Sequence, residues 1–281
     1  MLLACGSLAF GAPGVPKELV KATLFADVET VSAGSAFHVG VVLKMAPHWH
    51  TYWINPGETG TPTSIKLTGP KGFSFGKIQW PTPTKIVMDG AITYGYEDEV
   101  LLRVPVSVAK DADLSGAVTI DADVEWLSCK DTCIEGSAKL SINLAAAATT
   151  KPANGDLFGK WASRLTVGRD HPSAAAVEKI EQPAMPGGEY DARLNIAWKQ
   201  RPEKVEWFPV ATPAVAIENI EIKHDGNRTT VHFKPNVFDA KEVPRQASPL
   251  TGGIVDGVLV WTTESGQRIA VAAPVVVSLK K

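Results

Sequence analysis

An all-β fold, built as two sandwich domains joined by a linker and a short helix, is the class this sequence predicts. Three observations predict it. Short runs keep a period of two, as in Phe37-x-Val39-x-Val41-x-Leu43 and Thr229-x-Val231-x-Phe233, which is the pattern of half-buried strands. Turn signals recur at close spacing, among them Asn55-Pro56-Gly57, Gly69-Pro70-Lys71-Gly72 and Asp225-Gly226. Helical periodicity is almost lacking, and many short strands with frequent turns make sandwiches. A chain of 281 residues suits two domains. The net charge of −2 gives no electrostatic case for nucleic acid or an anionic membrane, and no run of 18 apolar residues reads as a bilayer-spanning helix.

Taken in order, residues 1–16 read as a signal or lipoprotein-like terminus. Met1 to Ala12 is apolar and small but lacks a basic start. Ala9-Phe10-Gly11 fits a small-x-small cleavage site, and Leu2-Leu3-Ala4-Cys5 resembles a lipobox that would place a lipid anchor on Cys5. Either reading sends the protein out of the cytosol; the competing reading is a slightly apolar, untethered N-terminus.

Residues 17–147 form the first domain. Leu19 to Thr30, Ala36 to Lys44, the aromatic stretch from His48, Ser64 to Leu67, Phe73 to Trp80, Glu99 to Val108, Val118 to Trp126 and Ala138 to Leu144 are its strands. Met88 to Gly95 reads as a loop. Residues 148–168 are a linker with one short helix, N-capped by Asp156 and apolar along Leu157, Phe158, Trp161 and Leu165. In residues 169–281 the alternation returns through Leu194-x-Ile196-x-Trp198, Val205-x-Trp207, Ile220-x-Ile222, Val258-x-Val260 and Ile269-x-Val271. This cysteine-free half reads as a scaffolding or partner-docking domain.

Three constellations carry chemistry. Cys129 and Cys133 follow the alternating run Val118 to Trp126, so they sit where a strand ends and turns. A turn can bring two Cβ atoms to the ~3.8 Å a disulfide needs. So small a loop contributes little chain-entropy stabilisation, which fits a bond that is made and broken. Exchange, a structural staple and half of a zinc site are all open on spacing alone, and the last lacks a second ligand pair.

His48-x-His50 would point two imidazoles to one side of a strand, and Met45 and Met88 would add soft ligands suited to Cu(I). The competing reading of these histidines is packing. A non-enzymatic copper-handling or partner-binding module, with the disulfide as a staple, is the alternative function. The third feature, the glycine-bounded segment Met88 to Tyr96, can cover a reactive site and move aside, or be an ordinary surface loop.

His50-Thr51-Tyr52-Trp53-Ile54-Asn55-Pro56-Gly57-Glu58-Thr59-Gly60, then Trp80-Pro81, Tyr94-Gly95-Tyr96-Glu97, and Trp126 with Cys129 and Cys133, resemble the N-terminal periplasmic region of DsbD-type thiol:disulfide interchange proteins. The likeness is greatest to the branch that includes the ScsB proteins linked to copper tolerance. It covers roughly residues 17 to 144. The second half looks like the additional β domain of that branch.

The resemblance implies an immunoglobulin-like sandwich with Cys129 and Cys133 as its redox pair. It implies electrons taken from a membrane-embedded donor and passed to oxidised periplasmic proteins, with thioredoxin-like or disulfide-isomerase proteins as partners. No organic cofactor and no metal is implied. Asp89, Gly90, Ile92, Tyr94 and Gly95 would form a cap over the sulfurs, with Tyr94 the covering side chain. His50, Tyr52, Trp126 and Glu97 would support the site. Full-length members of this family continue into a membrane domain and a thioredoxin-like domain, so electrons here would come from another polypeptide, or this is an amputated or repurposed copy.

Overall fold

The computed structural model describes residues 19–88, 90–183, 192–210, 214–238 and 252–278. Residues 1–16 with Cys5, and Asp89 of the expected cap, lie outside the described residues. The first half comprises β1 (Val20–Ala26), β2 (Val28–Val31), β3 (Ala36–Met45), β4 (His50–Gly57), β5 (Ser64–Thr68), β6 (Phe73–Phe75), β7 (Thr84–Met88), β8 (Ala91–Glu97), β9 (Glu99–Val108), β10 (Val118–Cys129), β11 (Cys133–Ala146) and β12 (Lys151–Pro152). Helix α1 (Gly155–Ala162) and a 3-10 turn (Pro172–Ala176) follow. The second half holds β13 (Val177–Glu181), β14 (Arg193–Trp198), β15 (Lys204–Pro209), β16 (Val215–Asp225), β17 (Arg228–Val237), β18 (Gly252–Val255), β19 (Gly257–Thr262), β20 (Arg268–Ala272) and β21 (Val275–Ser278).

The fold is all-β. In the first half, a sheet of order β1-β3-β9-β6 faces a larger one of order β12-β2-β11-β10-β4-β8-β7, with β5 paired to β10. Alternation decides which side of each strand is inside. Along β10, Val118, Ile120, Ala122, Val124 and Trp126 are buried, while Asp121, Asp123 and Glu125 face out. Strand β3 is buried on both faces, because α1 covers its outer side. Gly40 leaves room there for the Phe158 ring, 3.2 Å from where a Cβ would stand. The second half pairs as β13-β14-β17-β16, β15-β19-β20 and β18-β21 around its own cluster of buried residues, including Trp198, Trp207 and Trp261.

The halves are joined by more than the chain. Phe208 packs edge-to-face on Tyr94 (centroids 5.2 Å apart) and on Trp53 (6.2 Å). Asn55 Nδ2 donates to Pro209 O at 2.6 Å, and Arg268 donates to Pro83 O at 2.9 Å. Phe208, Val258, Val260 and Ala270 thereby join the core cluster of the first half.

Several elements differ from the sequence reading. The single strand expected over Leu19 to Thr30 is two strands in different sheets, broken at Asp27. The Asp27 carboxylate accepts from His38 N (2.7 Å) and faces His38 Nδ1 (2.9 Å), which holds the chain where it crosses over. Helix α1 is preceded by Asn154 rather than Asp156; Asn154 has φ 51° and donates to Ala26 O instead of capping the helix. Asp156 lies in the first turn, where its charge suits the helix dipole. Leu165 lies beyond the helix and bridges to Pro81. Residues 145–153, read as spacer, are stitched to β2 by parallel pairing of Ala145 and Ala146 and antiparallel pairing of Lys151.

Candidate functional site

Strands β10 and β11 form a hairpin in full register from Val118↔Leu144 to Cys129↔Cys133. The two cysteines are therefore directly opposed at the closing end, with Cα atoms 4.1 Å apart and a disulfide between them. Only Lys130, Asp131 and Thr132 separate them, and Lys130 N donates to Thr132 O. The strands simply run further than the alternation suggested, so the disulfide closes the hairpin itself.

Register decides what surrounds the sulfurs. Strand β4 pairs with the end of β10 as Cys129↔His50 and Ser128↔Thr51. Strand β8 pairs with β4 as His50↔Glu97, Thr51↔Tyr96 and Tyr52↔Gly95. Opposed residues of an antiparallel pair project to one face, and neighbours along a strand project to opposite faces. Cys129, Cys133, His50, Tyr52 and Glu97 thus share a face. It is the outer face, since Trp126 and Val124 point into the sandwich.

Cys129 (0% exposed), His50 (2%) and Tyr52 (1%) are nevertheless buried there. The segment after β4 covers Tyr52. Gly60 lies against the Tyr52 ring so closely that an added Cβ would overlap it, and Thr59 hydrogen-bonds Tyr52. The Tyr52 hydroxyl stands 3.9 Å from Cys133 Sγ. Cys133 itself is exposed. The pair is lopsided, with one sulfur at the surface and its partner enclosed.

His50 stands edge-to-face with Tyr52 at 5.1 Å, and its Nε2 has no hydrogen-bond partner. Burial lowers its pKa from the ordinary histidine value. Burial also raises that of Tyr52, partly offset by the Thr59 hydrogen bond.

The expected cap differs in form. Met88 to Gly95 is not a loop but the hairpin β7–β8, with Met88↔Ala91 as its last pair and Gly90 at φ +86° in the turn. Ile92 is bound to Glu58 in both directions, its N–H donating to Glu58 Oε2 (3.0 Å) and its carbonyl accepting from Glu58 N (2.9 Å). The hairpin is thereby tied to the segment that lies on Tyr52. Gly95 sits beside Thr51 O with no room for a side chain.

Tyr94, one residue from Gly95, projects to the opposite face and packs on Phe208. The side chain recorded against a site sulfur is Tyr52. Burial and the Glu58 charge push the Tyr94 hydroxyl up to about 12. Trp126 is three residues before Cys129, so it too faces inward, lying over Gly136. Sequence reasoning missed Thr59 and Gly60 as site residues. The odd spacing of Trp126 and Cys129 was the available signal for the parity of the faces.

The two-histidine reading does not hold geometrically. His48 lies in a turn at φ 68°, exposed, before β4 begins, whereas His50 is enclosed. They do not share a strand face. Among the described residues no group of three or more His, Cys, Asp or Glu could hold a metal ion. A cleft of about 1290 Å³ between the halves, lined by Glu58, Lys85, Tyr94, Phe208 and Arg268, does not include the cysteines.

Residues 17–145 match the family model described as thiol:disulfide interchange protein DsbD, N-terminal. The N-terminal periplasmic domain of ScsB from Proteus mirabilis is similar in structure, with a TM-score of 0.64 and 16% identity, covering 94% of this chain and 96% of that one. The reduced N-terminal domain of DsbD from Neisseria meningitidis matches with a TM-score of 0.27 and 13% identity, over 50% of this chain and 96% of that one. No curated protein matches the chain. The resemblance read from the sequence is thus borne out: residues 17–145 match the N-terminal domain family of the DsbD thiol:disulfide interchange proteins, and the chain has the fold of the ScsB periplasmic domain.

Proposed function

We propose that this protein is a periplasmic thiol–disulfide oxidoreductase module. It relays electrons through Cys129 and Cys133, between a membrane-embedded reductase and oxidised periplasmic proteins that include thioredoxin-like or disulfide-isomerase partners. The observation that carries this reading is the lopsided disulfide, with Cys133 exposed and Cys129 enclosed at the end of a rigid hairpin. A partner can reach one sulfur and not the other, which orders the two steps of an exchange. Cys133 thiolate attacks the partner disulfide, forming a mixed disulfide and releasing one partner thiolate. Cys129 then attacks Cys133 Sγ, closing the internal bond and releasing the second partner sulfur with its electron pair.

In this reading the segment Glu58–Thr63, with the β7–β8 hairpin Ile92, Tyr94 and Gly95 behind it, shields the reduced pair. Gly90 lies in the turn of that hairpin. Glu97, at the rim beside His50, completes the near-site set. The experiment is trapping. A Cys129→Ser variant in a Cys5→Ser background keeps an attacking Cys133 without a resolving thiol. It is expected to accumulate mixed disulfides with a thioredoxin-like protein, whereas Cys133→Ser is not. Equal trapping by both variants would sink the assigned order.

A further inference from the structure

We infer that His50 is the proton acceptor that lets the enclosed Cys129 act as the resolving thiol, an inference that rests on the exchange reading above. The second step of exchange requires Cys129 to lose a proton inside a site that water does not reach. A thiol in apolar surroundings resists ionisation, and the thiolate is the form that attacks. Cys129 is 0% exposed, so a base must be part of the protein. His50 is directly across from it on the neighbouring strand, on the same face, which sets their Cβ atoms about 5 Å apart.

The imidazole is enclosed, and its Nε2 carries no hydrogen bond. A buried ring nitrogen left without a partner costs stability, so a role in the reaction accounts for its retention. Burial keeps the ring neutral, the form that accepts a proton. The titratable groups that strand register places beside it are Tyr52 on β4, Glu97 on β8, and Cys129 and Cys133 on the hairpin; Lys130 and Asp131 follow in the hairpin turn, and Glu58 comes after β4 in the chain. Tyr52 is held protonated by burial and cannot serve as the base near neutral pH.

The Cys129 S–H proton passes to His50. Cys129 Sγ bonds to Cys133 Sγ, the bond from Cys133 Sγ to the partner sulfur breaks, and that sulfur leaves with the electron pair. The proton on His50 then goes to the departing thiolate or to water. Over both steps two electrons leave the cysteine pair for the partner disulfide.

The test uses the reduced full chain in a Cys5→Ser background and one equivalent of the aromatic disulfide 5,5′-dithiobis(2-nitrobenzoate). Attack by Cys133 releases the first chromophore in a phase whose rate follows reagent concentration. Resolution by Cys129 releases the second in a concentration-independent phase. In His50→Gln the second phase is expected to slow about a hundredfold at pH 7, the first to change less than about twofold, and the difference to close as rising pH ionises Cys129 directly.

Two phases in the parent with an unaltered second phase in His50→Gln would overturn the role of His50 and leave the exchange reading standing. A parent that never releases a second chromophore would overturn the exchange reading, and this inference with it. Should His50→Gln not fold, the parent's own profile decides. The second phase is expected to level off above the His50 titration and fall below it, whereas a rise with pH throughout would overturn the role.

Discussion

Gly60→Ala tests the packing of the segment after β4 on Tyr52, the residue beside Cys133. Gly60 has φ +98°, a conformation that costs an L-residue about 1–2 kcal/mol. An added Cβ would overlap the ring of Tyr52, which is 1% exposed and cannot swing aside, and overpacking of this kind costs about 1–3 kcal/mol. Together these give about 2–5 kcal/mol against the closed arrangement. The protein can respond in two ways, and urea unfolding read beside the rate of disulfide reduction by dithiothreitol separates them. If the segment stays down, the urea midpoint falls with an unchanged slope. If it lifts, the midpoint holds and reduction speeds up at least about tenfold, since each 1.4 kcal/mol is a tenfold change in opening. A variant within about 0.5 kcal/mol of the parent and reduced within about twofold of its rate would refute the packing of Gly60 on Tyr52 as the shield.

Further outcomes follow from other contacts. Phe208→Ala removes the ring shared by Tyr94 and Trp53 and is expected to cost about 3–5 kcal/mol in denaturant unfolding; a cost near zero would mean the halves are not held there. Tyr94 is pushed up to about 12 and Tyr96 well above 10 by burial, so the folded state keeps protons that the unfolded chain loses above pH 10. Stability is therefore expected to fall as pH rises from 10 towards 12, and an ultraviolet titration with all tyrosines ionising near 10 in the folded state would contradict this. His50 is held below its ordinary value, so stability is expected to fall as pH drops below about 6.5, where the unfolded chain takes up the proton first. His50→Gln is expected to flatten that fall, and an unchanged acid slope would remove His50 as its source.

The strands were legible because period-two alternation is a local signal. Glu99 to Val108 appears at its expected bounds, and the β10 run differs only by extending to the cysteine. The β7–β8 hairpin was legible too, in Ile92-x-Tyr94-x-Tyr96 beside Asp89-Gly90, but the glycines suggested a loop instead. What the sequence hides is which residues meet across strands. Cys129 meets His50 only because β4 docks on β10 with that register, which is set by packing over the whole sandwich. The burial of an outer face by Gly60 and Thr59, and the clasp of Phe208 on Tyr94, are likewise long-range. Periodicity along one strand carries no record of either.

In the proposed function the Cys129–Cys133 bond is made and broken in use. The measurement that tests it most directly is a redox titration of the protein in thiol–disulfide buffers, with the two cysteines read by differential alkylation and mass. A reversible midpoint above about −300 mV is expected, the range of labile and exchange-competent disulfides. A bond that stays closed well below that potential would be a structural staple, and the exchange function proposed for this protein would fall.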